Sequence, residues 1–300
     1  MRGNQFSRFF SISLLIASVA LGKFASPVHA QSQASCTFSF FPLSVNLSGG
    51  AVNFSPAGIN DFGTVVGSAD MNGLAVGAIR WKNGGFTFAN GTTELSDRND
   101  SGISIGYTGV PTTPGAGASL VNGTRVVSLK LNNIPSPIVF ISGINNWGST
   151  VGTYFGSVVV YGFKRWKNGN AFTLLYPGSG ATWPASIDDR GTVIGSYYVG
   201  PPGIQLPENG FIYHNGQWAT LNYPNTAFTH LVGISNAGVI VGNAPDGSAG
   251  GFLYANGGFK VISAPDGSQT NLIGMSPKLG LILGTVSAQF VTKGFIAKCQ

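Results

Sequence analysis

Short apolar runs rich in β-branched and aromatic side chains recur along the chain, each bounded by Asn, Asp, Ser and Gly. Phe172-Thr173-Leu174-Leu175, Trp218-Ala219-Thr220-Leu221 and Phe259-Lys260-Val261-Ile262 are three of them. Runs this short, broken by residues that tolerate left-handed backbone, predict β-strands joined by tight turns. Asn-Gly recurs between them at Asn83-Gly84, Asn168-Gly169, Asn215-Gly216 and Asn256-Gly257, the strongest local hairpin signal.

The runs belong to a repeat. A Gly-x-x-[Val/Ile/Leu]-Gly signature starts at Gly63, Gly102, Gly148, Gly191, Gly238 and Gly280, with spacings of 39, 46, 43, 47 and 42 residues. A polar turn precedes it, as in Ile59-Asn60-Asp61-Phe62, Ile144-Asn145-Asn146-Trp147, Ile187-Asp188-Asp189-Arg190 and Ile234-Ser235-Asn236-Ala237. Four short strands in a unit of about 43 residues match a propeller blade. The predicted units lie near 51–96, 97–135, 136–178, 179–224, 225–264 and 265–299.

The sixth unit ends one strand short, at Gly294-Phe295-Ile296-Ala297-Lys298-Cys299. A run resembling the missing strand, Cys36-Thr37-Phe38-Ser39-Phe40-Phe41-Pro42, stands at the other end. The fold expected is therefore all-β, a six-bladed β-propeller in which the N-terminal strand (36–42) completes the last blade. A β-solenoid or an outer-membrane barrel fits less well, because the former leaves both ends open and the latter requires longer strands. Cys36 and Cys299 are the only cysteines, so one intramolecular bridge across the seam is expected.

Residues 1–30 read as a signal peptide: Arg2 and Arg8, an apolar stretch from Phe9, then Val28-His29-Ala30 before the cleavage point. Residues 31–300 form the single repeat domain, expected to be secreted or periplasmic, with no membrane span once the signal is removed. Losing Arg2, Arg8 and Lys23 lowers the formal charge from +6 to +3, and no basic cluster suggests a nucleic-acid partner. A monomer is expected.

The pattern Ile-Asn-x-x-Gly-x-x-Val-Gly followed by Gly-Phe-x-x-Trp-x-x-Gly, clearest over 143–169, 58–84 and 233–257, resembles the HAF family of extracellular repeat proteins. The resemblance implies an exported repeat domain and no particular activity. This chain departs from the family's His-Ala-Phe at Tyr161-Gly162-Phe163, Asn209-Gly210-Phe211, Gly250-Gly251-Phe252 and Lys293-Gly294-Phe295.

Candidate chemistry is sparse. Past the signal only His214 and His230 remain, with ten acidic residues in the chain, so no metal site, cofactor or catalytic residue is assigned. His214 reads as a solvated turn residue. Asp188 and Asp189 read as turn-formers, as does Asp266 in Ala264-Pro265-Asp266-Gly267-Ser268, with a near copy from Ala244. The remaining signal is aromatic. If strands run outward from the centre, one face gathers the long connections, with Tyr154, Tyr176, Trp183, Tyr197, Tyr198, Tyr223 and His230 as candidate ligand-binding residues, beside Phe155 and Phe228. The function expected is a non-catalytic binding or scaffold module for a glycan or an extracellular protein. The alternative is a polysaccharide-active enzyme, lyase- or glycosidase-like, using His230 and a tyrosine.

Overall fold

A computed structural model describes residues 32–47, 50–109, 117–134, 139–200, 207–244, 250–288 and 291–300. The signal-peptide reading (1–30) and the Pro-Asp-Gly turn after Ala244 lie outside these residues. The described chain is all-β. In chain order the strands are β1 (Cys36–Pro42), β2 (Ser44–Leu47), β3 (Gly50–Ile59), β4 (Val65–Met71), β5 (Leu74–Arg80), β6 (Phe86–Ala89), β7 (Glu94–Arg98) and β8 (Ile103–Thr108). Next are β9 (Gly117–Asn122), β10 (Arg125–Ser128), β11 (Val139–Ile144), β12 (Thr150–Phe155), β13 (Val160–Arg165), β14 (Ala171–Leu174), β15 (Ala181–Ile187) and β16 (Val193–Tyr198). The last are β17 (Glu208–His214), β18 (Gln217–Thr220), β19 (His230–Ile234), β20 (Ile240–Ala244), β21 (Gly250–Ala255), β22 (Gly258–Ile262), β23 (Thr270–Met275), β24 (Leu281–Ala288) and β25 (Val291–Cys299).

Backbone pairing makes four discrete blade-like sheets: β2 to β6, β7 to β10, β19 to β22, and β23-β24-β25-β1. Six separate blades were expected, and here the structure differs. The units beginning at β11 and β15 are joined in one eight-stranded sheet, because Val160 of β13 pairs in parallel with Ala181 of β15. Val160 N–H also donates to the Gly180 carbonyl at 3.1 Å. The first strands β3, β7, β11, β15, β19 and β23 touch one another in a closed cycle, so the arrangement is propeller-like.

The signature acquires a physical reading at its two glycines. The first (63, 102, 148, 191, 238, 280) sits at φ between 63° and 83° to end the turn. The second faces a register shift in the first strand, where a Cβ would press on backbone: Gly67, Gly106, Gly152 and Gly195 would each place it about 2 Å from a carbonyl oxygen. Across from this glycine stands a phenylalanine, Phe163 facing Gly152, Phe211 facing Gly195, Phe252 facing Gly242 and Phe295 facing Gly284, and at Gly242 and Gly284 a Cβ would also strike that ring. These four phenylalanines are fully buried. Burying one contributes roughly 2–3 kcal/mol.

At the seam, β1 pairs antiparallel with β25 and Cys36 is disulfide-bonded to its direct partner Cys299. Residues 32–34 also lie along β22, with Ala34 N–H donating to the Val261 carbonyl at 2.8 Å. The N-terminal segment thus ties β22's sheet to β25's. By loop-entropy reasoning the disulfide is worth about 5 kcal/mol. It also marks an oxidising compartment.

Candidate functional site

Each unit turns from its first strand to its second on one side of the ring, the short-turn face. The long connections leave from the other. The turns share one design: the side-chain oxygen of Asn60, Asn99, Asn145, Asp188, Ser235 or Ser276 accepts a backbone N–H four or five residues on, at 2.7–3.2 Å. The next residue of each turn links the copies. Asp61 N–H donates to Asp100 Oδ1 (3.0 Å), Asp100 to Asn146 Oδ1 (2.8 Å), Asn146 to Asp189 Oδ1 (2.9 Å) and Asp189 to Asn236 Oδ1 (2.9 Å). Asn236 N–H donates to the Pro277 carbonyl (2.6 Å), and Lys278 N–H returns to Asp61 Oδ1 (3.0 Å). The result is a closed hydrogen-bonded belt at the centre of this face.

The belt consumes its carboxylates. Asp189 accepts from the side-chain amides of Asn146 and Asn236, and Asp100 from Lys278 Nζ at 3.2 Å. Burial, helped by neighbouring Asp100, pushes the Asp61 carboxyl up. Burial acts on Asp100 too, but hydrogen bonds from Asp61 and Lys278 outweigh it and hold that carboxyl down. Asp188 is fully buried, accepting Thr192 N–H and Arg190 Nε. It forms the turn, as its sequence position suggests.

Outside the belt, aromatic rings stand in solvent on this face. Phe62 is 65% exposed and Trp147, its repeat equivalent, 70%; Trp81 is 37% and its equivalent Trp166 44%. Phe62 and Trp81 flank an open depression of about 420 Å³ also lined by Asn60, Lys82, Arg98 and Asp100. Arg98 lies over the Trp81 ring at 5.6 Å and donates to Ser104 Oγ at 2.8 Å. Sequence reasoning missed this set, although the recurrence of Arg-Trp-Lys-Asn-Gly at 80–84 and 165–169 was a visible signal.

The long-connection face treats its rings differently. Tyr154, Tyr197 and Tyr223 are buried. Tyr154 hydroxyl bonds Thr173 Oγ1 (2.7 Å), and the Tyr176 and Tyr197 hydroxyls both bond Thr220 Oγ1, their rings stacked at 3.7 Å. Tyr223 packs on Phe252 and Phe259. Trp183 is half-buried, edge-on to Phe155.

Two candidates, Tyr198 and His230, form one polar cluster with Glu208, the first residue of β17. His230 Nδ1 meets Glu208 Oε1 at 2.5 Å, with the histidine half exposed. Burial works against ionising Glu208, but the hydrogen bond and charge of His230 hold its carboxyl below the usual range. Burial and the adjacent Glu208 push the Tyr198 phenol up to about 12. Among the described residues no arginine bonds His230, and no group of three His, Cys, Asp or Glu side chains is arranged to hold a metal. His214 is the exposed turn residue expected, its ring nitrogens within 3.0 Å of Thr192 and Asn215.

These features define an all-β protein with a propeller-like ring and an aromatic-lined face. No family model matches the chain, and no curated protein matches it. Solved structures share the fold at low identity. The β-propeller domain of the Trilobed protease from Pyrococcus furiosus, described as having an open velcro topology, is 11% identical with a TM-score of 0.54, covering 81% of each chain. A protein assigned provisionally as a gluconolactonase is 12% identical with a TM-score of 0.51, covering 90% of this chain and 94% of its own.

No helix among the described residues is long and apolar enough to cross a membrane.

Proposed function

We propose that this protein is an exported, six-bladed propeller of the HAF repeat type that acts as a non-catalytic glycan-binding module through its short-turn face. The blade count takes the eight-stranded sheet as two blades, and the closed cycle of six first strands supports it. The disulfide supports export to a secreted or periplasmic location. The observation that carries the binding reading is the solvent-standing set Phe62, Trp81, Trp147 and Trp166, beside amide and cationic groups. Exposed rings next to hydrogen-bonding side chains suit the apolar face and hydroxyl edge of a sugar. The long-connection rings offer less, since most are packed and their hydroxyls engaged.

A glycan-array screen of the purified protein tests the reading. Binding is expected to disappear in Trp81→Ala/Trp147→Ala and to persist in Trp183→Ala/Tyr198→Ala. Loss in the second pair alone moves the combining site to the other face.

A second reading rests on the Glu208–His230 contact, which leaves His230 Nε2 free to act as a base toward a polysaccharide. Release of reducing ends or unsaturated products by the wild type, abolished in His230→Ala and Glu208→Gln, would establish that activity; no turnover on any bound glycan removes it.

A further inference from the structure

The short-turn face carries its aromatic site twice, with a sign of charge. In the unit of β3 to β6, Phe62 and Trp81 stand beside Lys82; in the unit of β11 to β14, Trp147 and Trp166 stand beside Lys167, at the same repeat positions. The lysine stems lie near equivalent glycines: a Cβ on Gly63 would meet Lys82 Cδ at 4.0 Å, and one on Gly148 would meet Lys167 Cγ at 3.4 Å. Each lysine stem thereby runs beside the turn that carries the exposed ring. Both lysines are exposed, and among the described residues neither has a carboxylate within ion-pair distance.

The carboxylates of this face are by contrast spent internally. Asp61, Asp100 and Asp189 accept the belt's hydrogen bonds, Asp100 also takes Lys278, and Asp188 takes Arg190. The first site has a further cation in Arg98, whose Nε is buried with no hydrogen-bond partner. What remains for a ligand is rings plus uncompensated positive charge. The equivalent turn positions of the other units hold Ser101, Arg190, Ala237 and Leu279, so the aromatic pair is confined to two units.

We infer that the ligand is an acidic polysaccharide, a chain of uronate residues, held at two repeat-related sites at once. This rests on the glycan-binding reading above. Each ring covers the apolar face of a sugar while the neighbouring lysine meets its carboxylate, a charge-assisted contact that salt screens. Two sites on one rigid ring give a long chain an avidity that a short fragment lacks.

Calorimetry with polygalacturonate, a short oligogalacturonate and a neutral β-glucan tests this on the wild type, Lys82→Gln/Lys167→Gln, Trp81→Ala and Trp81→Ala/Trp166→Ala. The substituted side chains are exposed, and unchanged thermal unfolding checks that each variant folds. The expected results are binding of polygalacturonate that weakens with added salt, and a loss of about tenfold or more in the lysine double variant. The short oligomer binds with two sites per chain, falling to one in Trp81→Ala. Binding of the neutral glucan that depends on tryptophan and not on lysine overturns the acidic-ligand inference and leaves the module reading standing. One oligomer site in the wild type overturns the paired-site claim. No binding of any of the three, together with an empty glycan array, overturns both readings.

Discussion

The two faces of the ring draw on the same residue types and use them in opposite ways. On the long-connection face Tyr154, Tyr197 and Tyr223 are packed inside, while on the short-turn face Phe62 and Trp147 stand mostly in water. The difference lies in backbone position. Tyr197 and Tyr198 are neighbours on β16, and because side chains alternate across a strand, the first stacks on Tyr176 while the second reaches Glu208. Phe62 and Trp147 follow the second residue of a tight turn, which no strand covers. An aromatic ring is therefore a structural element or a potential contact according to its place in the repeat.

Three substitutions break or sharpen this contrast. The largest effect is expected from Tyr223→Ala, which empties a site packed against Phe252 and Phe259 and should cost about 3–5 kcal/mol in denaturant unfolding.

Between the faces lies Asp97 on β7, beside Gly58 of β3, where burial pushes its carboxyl up to about 7 against hydrogen bonds from the Ile144 and Arg98 amides. A raised folded value means that the native state holds a proton the unfolded chain has released. Stability contributed by this group is thus present below about pH 4 and is lost as pH rises to 7. Asp97→Asn should flatten that slope and raise stability at pH 8 by ~1–3 kcal/mol, read from urea midpoints at pH 5 and pH 8.

The smallest effect belongs to Trp147→Ala, expected within ~0.5 kcal/mol of the wild type by thermal unfolding. A large loss there would mean that the ring is structural and that the two faces do not differ as described.

Much of the fold was legible in the sequence because it is written in turns. Asn215-Gly216 and Asn256-Gly257 adopt positive φ at both residues, as the hairpin reading requires, and Cys36 faces Cys299. The sharing of a sheet by β13 and β15 was not legible, since it depends on one parallel pair between Val160 and Ala181. The candidate residues were chosen by connection length, which indicates a face and says nothing of strand parity. That criterion gathered buried Tyr154 and Tyr197 with partly exposed Tyr198. Phe62 and Trp147 were passed over as turn residues. The Glu208–His230 contact joins the first residues of β17 and β19, 22 residues apart, whose proximity only the folded ring creates.

The pairing of β1 with β25 also sets an order of events. Cys36 and Cys299 are 263 residues apart in sequence, so the strand at one end has no partner until almost all of the rest has been synthesised. Contacts of such long range slow folding and leave a sheet edge open in the meantime. Until it pairs, the edge of β25 is open to other strands as well as to its own β1. Oxidation of the cysteine pair then fixes the pairing of the two end strands within one chain covalently.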